Sequence, residues 1–516
     1  MQPKYFYVST PIYYPNNELH LGHAYTTVLS DVLARYKKQQ GYEVFFTTGS
    51  DEHGQKIAKA AQLANITPQE FVDGIVNKFK DLWTFLHIDY SKFIRTSSQE
   101  HTIVVEKIFN QLLSQEDIYL DQYEGWYCIA CEEFVTKSQI SRDKLHLLCN
   151  QQLKFLQEES YFFKVSKYQE QLLDYYHQHP DFIYPESRMN EMINNFLSPG
   201  LQDLSVTRTS FNWGIPVKQN SKHTIYVWID ALSNYLSSLG YLSSDNSEFN
   251  KYWRENSEIV QFLGKEITRF HAIYWPILLI ALNIRLPNKL ISHSWITMND
   301  DKMSKSKDNS INPLQLINEY GSDALRFFLV NDLHITRDSN YSLQLLIDSY
   351  NNNLVNNLGN LLSRTMTMTK KYFNNVIPQY VPSTNDLDKA LEQHIHLTIE
   401  SYEAKMDQYL INDAVKTVIE LLHYTNKYIE ERTPWALFTN CDANLNKVIN
   451  NLLQVLKVSA YLLQPILVTK SIVIFQQLNI NYEQLNFTNL TNFQNLDNVK
   501  INLKQILFPR INLLDA

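Results

Sequence analysis

Glycine is scarce in this chain, with 12 in 516 residues, where a typical protein has about 7%. The few glycines in sharp local contexts therefore carry more meaning than usual. Cysteine is scarcer still, with four residues, which excludes a disulfide scaffold and points to a reducing compartment. Positive charge is not in excess. The formal charge is -8, so any binding to nucleic acid has to use local basic patches and specific contacts. The longest near-apolar run is "AIYWPILLIAL" (272–282), short of the about 20 residues that cross a bilayer. The amino terminus, "MQPKYFYVSTPIYY", has no basic segment followed by an apolar one and is not Arg- and Ser-rich. The expected location is the cytoplasm, with no membrane partner. Neither G-x-x-x-x-G-K-[ST] nor G-x-G-x-x-G occurs, so the usual phosphate loops are absent.

What is present has an α/β rhythm. "KYFYVST" (4–10) is aromatic and β-branched, with Pro11 beyond it, and predicts a buried strand. Leu21, Ala24, Val28, Val32 and Tyr36 recur at helical spacing until "KKQQG" stops the helix at Gly41. "EVFFTTGSDEHG" (43–54) predicts a second strand ending in a polar turn. Strand, helix, strand is a right-handed crossover, and ligands of such sheets bind beyond the carboxyl ends of the strands. The texture changes at about 116–222, which holds a Cys-x-x-Cys and many Tyr and Gln, as an insertion would. "TIYVWIDA" (224–231) and "IVQFLGKE" (259–266) then predict further strands. From about Pro313 onward, long amphipathic patterns such as 413–432 predict a helical bundle.

Two constellations carry chemistry. The first is "HLGH", residues 20–23, at the mouth of the first helix. A helix amino terminus offers unpaired N–H groups and the positive end of the dipole, hence an anion site. Gly22 lets a flat ligand approach the backbone. His20 and His23 add donors for charge that develops on a phosphate. Two further readings of the pair remain open: structural hydrogen bonding, and a metal site completed by Asp51. The second constellation is "KMSKS" (302–306), with two lysines in a polar loop suited to clamping a polyphosphate.

Together, "HLGH" and "KMSKS" resemble the two signatures of the class I aminoacyl-tRNA synthetases. "TPIYYPNNELHLGHAYTT", "GSDEHGQKI", "YVWIDALSNY" and "FLGKEITRFHAIYWP" resemble the methionine-specific branch, over nearly the whole chain. The resemblance implies a Rossmann-like parallel-sheet catalytic domain, interrupted by a connective-peptide domain and followed by an all-α anticodon-binding bundle. The corresponding boundaries are 1–115 and 223–312 for the two catalytic halves, 116–222 for the insertion, 313–350 for a stem-contact linker and 351–516 for the bundle. It implies activation of L-methionine by ATP with Mg²⁺, then transfer to the 3′-terminal adenosine of tRNA(Met), initiator and elongator alike. His20 and His23 would serve the α-phosphate and the adenosine side, and Lys302 and Lys305 the β- and γ-phosphates. Gly264 and Glu266 match the ribose contact. Ile12, Tyr14, Asp51, Trp228, Ala231, Tyr235, Ile267, His271 and Trp275 match the methionine pocket. Asp51 suits the ammonium, and the aromatic rings suit a thioether.

"CIAC" supplies Cys128 and Cys131, half of a zinc knuckle. Relatives complete it with a second pair. Here Gln152 stands where that pair would end after Cys149, and His146 can substitute, giving a candidate zinc set of Cys128, Cys131, His146 and Cys149. The alternative is a relic knuckle held by packing. Cys441 stands alone and is expected to be buried. In the bundle, Asn360 and Arg364 match the family's anticodon helix. Pro434 and Trp435 follow, with Trp435 as the stacking platform. A monomer is expected. Three rivals share parts of the pattern: a class I synthetase for another amino acid, a tRNA-binding factor that has lost catalysis, and a small-substrate nucleotidyltransferase. The Asp51, Trp228 and His271 set argues against the first, and the intact histidines and lysines against the second. "KMSKS" with an anticodon-like bundle argues against the third.

Overall fold

A computed structural model of the chain describes residues 4–512, apart from 17, 129–132, 136–139, 148, 255, 299–300, 303–310, 383–384 and 503–505. The central sheet is parallel throughout. Its strands are β1 (Tyr5–Tyr13), β2 (Glu43–Ser50), β3 (Lys92–Arg95), β4 (Ile183–Tyr184), β5 (Ser257–Gly264) and β6 (Lys289–His293), in the spatial order β3-β2-β1-β5-β6-β4. The chain winds outward from β1 through β2 to β3. It then crosses to β5 and winds the other way. The reversal lies between β1 and β5, and a doubly wound sheet opens its ligand crevice at that point.

β1 runs through Pro11 rather than stopping before it. Its pairing with β2 shifts register between Ser9 and Ile12, and a proline without an N–H is tolerated at such an irregularity. Beyond the shift, Ile12 and Tyr13 pair with Gly49 and Ser50 at the end of β2. The segment "TIYVWIDA" differs more from expectation. Only Thr224–Ile225 is a strand, paired antiparallel with Thr207–Arg208, and Val227–Asp230 turns into a helix. Aromatic and β-branched residues occur here because the segment walls a cavity, not because it extends a sheet.

The insertion contributes a four-stranded antiparallel sheet. Ile118–Cys128 pairs with Lys154–Phe163 along ten registered positions, flanked by Glu133–Val135 and Leu204–Ser205. Between these segments the chain returns to the central sheet as its edge strand β4.

Helix α1 (Leu21–Gln39) is buried on almost every side, including Ser30, Asp31 and Lys37. A helix this enclosed must pair its polar groups internally. Asp31 accepts from Arg326 Nη2 at 2.6 Å, Arg35 Nε at 2.7 Å and the Asp89 backbone at 2.8 Å. Arg326, on α2 (Ser322–Asn331), is fully buried and also donates to the carbonyls of Ile466, Leu86 and Pro465. Further along, Tyr36 donates to Asp407 at 3.1 Å and Gln39 donates to the Tyr461 carbonyl at 2.9 Å. The first helix of the sheet domain is thus bolted to the bundle.

The bundle comprises α3 (Asn360–Phe373), α4 (Asp386–Asp407), α5 (Ile411–Arg432), the short α6 (Pro434–Thr439), α7 (Asn444–Leu463) and α8 (Val468–Leu478). α7 is buried along nearly its whole length. Its polar side chains hold the segments that wrap it. Asn450 donates to Pro378 O, Gln454 to Phe493 O and Lys457 to Asn492 O.

Removing one partner from a buried, hydrogen-bonded ion pair costs about 3–5 kcal/mol. Arg326→Ala is therefore expected to lower the urea-derived unfolding free energy by an amount in that range, and the midpoint with it. A midpoint equal to the parent's would show that the Asp31–Arg326 pair does not hold α1 in place.

Candidate active site

The amino terminus of α1 is capped by its own histidines. His20 is the N-cap residue and is extended, and its Nδ1 accepts from the Gly22 amide at 3.1 Å. His23 Nδ1 accepts in turn from the His20 amide at 3.1 Å. This is the reciprocal geometry of a capping box, built here from two imidazoles. The rings lie 3.9 Å apart, centroid to centroid. Because each Nδ1 accepts, the proton of each neutral ring is assigned to Nε2. Both rings therefore turn a donor away from the helix backbone. Gly22 has a local reason to be glycine, since a Cβ there would stand 2.9 Å from His20 Cε1. At the end of β6, His293 Nδ1 donates to the Ser294 carbonyl at 2.8 Å and Nε2 accepts from Thr26 of α1 at 2.6 Å. Burial holds His293 below its ordinary titration range.

Across the switch point, β5 ends at Gly264. The Glu266 carboxylate folds over it so closely that a Cβ at 264 would lie 2.7 Å from Oε2. Trp295 Nε1 donates to Glu266 Oε2 at 2.9 Å. The Lys265 ammonium sits 3.8 Å from the Trp295 ring centroid and pairs with Asp338 at 2.6 Å.

A cavity of about 390 Å³ lies beyond the carboxyl ends of β1, β2 and β5. Ile12 and Tyr14 reach it from β1, Asp51 and His53 from the turn after β2, and Trp228, Ala231 and Tyr235 from the helical segment that replaces the expected strand. Ile267, Phe270 and His271 close it from beyond β5, where Phe270–Tyr274 forms a π-helical turn. Such a turn re-aims side chains and is frequent at functional sites. Trp228 stacks on Phe270 with centroids 4.3 Å apart. The Tyr235 hydroxyl lies 2.7 Å from His271 Nε2, and His271 Nδ1 lies 3.0 Å from the Ile267 carbonyl. The carbonyl can only accept, so Nδ1 carries the proton and Nε2 accepts from the phenol. Burial pushes the His271 imidazolium down to about 4, so the ring is neutral at pH 7. Of the residues expected in the methionine pocket, Trp275 alone does not line the cavity. It is fully buried behind Tyr235, and its indole donates to Gln261 at 2.9 Å.

Sequence patterns did not single out the polar floor of the cavity. Asp230 is buried between two imidazoles, with His53 Nδ1 at 2.7 Å and His101 Nε2 at 2.9 Å. Burial alone would raise its carboxyl. His53 and His101 outweigh that and hold it well below the usual carboxylate range. Conversely, burial would lower His53, but Asp230, with Asp51 and Glu52, raises it above its ordinary value. Glu52 is fully buried and fixed by Arg95 Nε at 2.6 Å, which anchors the turn presenting Asp51 and His53. His53 sits in the polar turn "DEHG", Asp230 in the otherwise apolar "WIDA" and His101 in a third segment, so no single pattern joins them.

Elsewhere, Cys128, His146 and Cys149 converge, with ligand atoms all within 4.8 Å of one another. The two sulfurs are 3.4 Å apart, far beyond a disulfide bond. His146, not Gln152, joins the thiols, and the Gln152 amide donates instead to the Lys144 carbonyl at 3.4 Å. Cys131 lies outside the described residues. Cys441 is exposed, contrary to expectation. It occupies the turn between α6 and α7 at a left-handed φ of 51°, where the connection must stay at the surface. Of "KMSKS", the Lys302 backbone pairs with Thr297. The Lys302 side chain and Lys305 lie outside the described residues. Asn360 is exposed at the start of α3, Arg364 Nη2 reaches Glu430 Oε1 at 2.7 Å, and Trp435 is 44% exposed on α6.

A doubly wound parallel sheet with a histidine-capped helix at its switch point, an inserted antiparallel domain and an appended helical bundle is the architecture of a class I aminoacyl-tRNA synthetase. Comparison with known proteins agrees. Residues 6–144 and 142–366 match the family "tRNA synthetases class I (M)", and residues 378–512 match the "Anticodon binding domain of methionyl tRNA ligase". The chain belongs to that family. It is 47% identical to the methionine–tRNA ligase of Listeria innocua over 491 residues, covering 93% of this chain and 74% of the relative. It is 44% identical to that of Bacillus subtilis over 519 residues, covering 98% and 78%. A solved structure of Mycobacterium tuberculosis methionyl-tRNA synthetase in complex with methionyl-adenylate superposes with a TM-score of 0.94 at 33% identity, covering 98% of this chain and all of that one.

The neutral His271 has a measurable consequence. The unfolded chain takes up a proton at this ring near pH 6.5, whereas the folded chain does so only near pH 4. Between these values the unfolded state binds more protons, so this group makes stability fall as the pH drops. His271→Gln is expected to flatten the urea-derived stability profile across that window by at most about 3 kcal/mol relative to the parent. Parallel profiles would show that His271 is not held neutral.

Proposed function

We propose that this chain activates L-methionine with ATP and charges tRNA(Met). The cavity carries the reading: an apolar aromatic pocket lined by a neutral Tyr235–His271 pair and by Asp51. A thioether packs well against aromatic rings, and a phenol whose proton is committed to His271 leaves only lone pairs toward the ligand. Asp51 suits the α-ammonium. The M. tuberculosis relative bound to methionyl-adenylate supports the same use of this fold.

In the first step a methionine carboxylate oxygen attacks the α-phosphorus, and the bond to the pyrophosphate oxygen breaks in line. Positioning and charge stabilisation do most of the work in such transfers. The Nε2 donors of His20 and His23 stabilise charge on the α-phosphate, and Gly264 and Glu266 take the ribose. Lys302 and Lys305 hold the β- and γ-phosphates. Mg²⁺ accompanies ATP and neutralises phosphate charge. In the second step the 3′-terminal adenosine hydroxyl attacks the methionyl carbonyl and AMP leaves. Asn360, Arg364 and Trp435 read the anticodon; Asn360 and Trp435 are exposed, Arg364 is half-buried, and Trp435 falls within the matched anticodon-binding region.

The Cys128, His146 and Cys149 donor set suits a structural zinc, since two soft thiolates and an imidazole are its usual ligands. Cys131, which lies outside the described residues, would be the fourth ligand.

Methionine-dependent pyrophosphate exchange is expected, and His23→Ala or Lys305→Ala is expected to slow it by at least about 10²-fold, the scale of a lost charge-stabilising donor. Exchange with another amino acid, or none from folded protein, would contradict the reading. Metal analysis is expected to find one zinc per chain, lost in Cys149→Ser. A metal-free parent would leave the knuckle as packing.

A further inference from the structure

A second aromatic feature stands beside Trp435. Helix α6 turns Trp435 and Phe438, three residues apart, outward, with exposures of 44% and 41%. Phe438 lies flat on Tyr372 of α3, with ring centroids 4.2 Å apart and planes at 21°. The arrangement follows from two contacts. Arg364, near the start of α3, meets Glu430 near the end of α5. The chain leaves α5 there as α6 and runs beside α3 until Phe438 reaches Tyr372, near the end of that helix. α3 therefore runs from Asn360 and Arg364 to Tyr372 of the stacked pair, with Trp435 on the neighbouring α6. The Lys371 ammonium lies 5.7 Å from the Tyr372 ring centroid, and Lys370 shares the last turn of α3.

Single exposed apolar residues are ordinary. This patch combines three aromatic rings, two of them already stacked, with cations beside them. Single-stranded RNA is gripped in this way, with bases on aromatic faces and lysines against the backbone. Residues three apart on a helix rise about 4.5 Å, near the about 3.4 Å between stacked neighbouring bases.

We propose that the Phe438–Tyr372 pair is a second stacking platform, which receives the base of the anticodon-loop nucleotide next to the one on Trp435, with Lys371 against its phosphate. The proposal rests on the reading that this face binds the anticodon loop. The outer face of Phe438 takes the base, and Tyr372 holds the Phe438 ring in the plane that stacking requires.

Phe438→Ala, Phe438→Leu and Phe438→Tyr are compared in tRNA(Met) charging and in methionine-dependent pyrophosphate exchange, with Trp435→Ala in parallel. Leu keeps apolar bulk on Tyr372 but removes the ring plane. The expected result is a rise of about fivefold or more in the KM for tRNA with Ala and with Leu, the scale of one lost base stack. Tyr should restore the KM, and exchange should keep its rate. If Trp435→Ala impairs charging while both ring-less Phe438 variants keep the parent's KM, the second platform is overturned and the anticodon reading stands. A parental KM in all of them overturns both. An equal loss of exchange and charging in Phe438→Leu assigns the ring to structural support and also overturns the proposal.

Discussion

The buried ion pair between Asp31 and Arg326 sets the direction in which α1 points, and the candidate site is built around the amino terminus of that helix. A buried charge needs its partner and further hydrogen bonds to be tolerated. Arg326 meets that demand by donating to one carboxylate and three carbonyls drawn from the sheet domain and the bundle. Nineteen residues of α1 span roughly 28 Å. One end presents His20 and His23 to the crevice. The other is fastened to the bundle through Tyr36 and Gln39. The helix is thus a rigid member shared by the two parts of the chain that its chemistry has to coordinate.

Preorganisation explains why so many polar groups can sit near the cavity without collapsing it. The histidines and Asp230 are each held by a neighbour that also fixes orientation. The two cap histidines hold the Gly22 and His20 amides, and the Ile267 carbonyl sets the His271 tautomer. Asp230 is held by two imidazoles. Groups locked in this way do not need to reorganise when charge develops, which is the main electrostatic advantage of an enclosed site. Apolar walls give shape selection, but a missing methylene changes binding by only about 1–3 kcal/mol. Sharp discrimination therefore has to come from polar groups such as the Tyr235–His271 pair.

β1, β2 and β5 were legible as short aromatic and β-branched runs, and α1 from its helical apolar spacing. "TIYVWIDA" was not, because a cavity wall and a buried strand draw on the same aromatic and β-branched residues. Trp275 matched the pocket by position, yet its side chain turns inward to Gln261, and string matching cannot tell the two sides of a helix apart. Gly22 was read as clearance for a ligand, whereas the nearest atoms to its missing Cβ belong to His20. His146 was legible as a candidate ligand, but only the folded hairpin shows that it, rather than Gln152, meets the thiols. His53, Asp230 and His101 come from three distant segments, so no local pattern contains them.

The most direct test of the account is a crystal structure of the chain with a non-hydrolysable methionyl-adenylate analogue. The expected result is the thioether arm against Trp228, Tyr235 and His271, the ammonium at Asp51, and the phosphate within hydrogen-bond distance of Nε2 of His20 or His23. An analogue bound with its thioether arm outside this cavity, or its phosphate away from the α1 terminus, would contradict it.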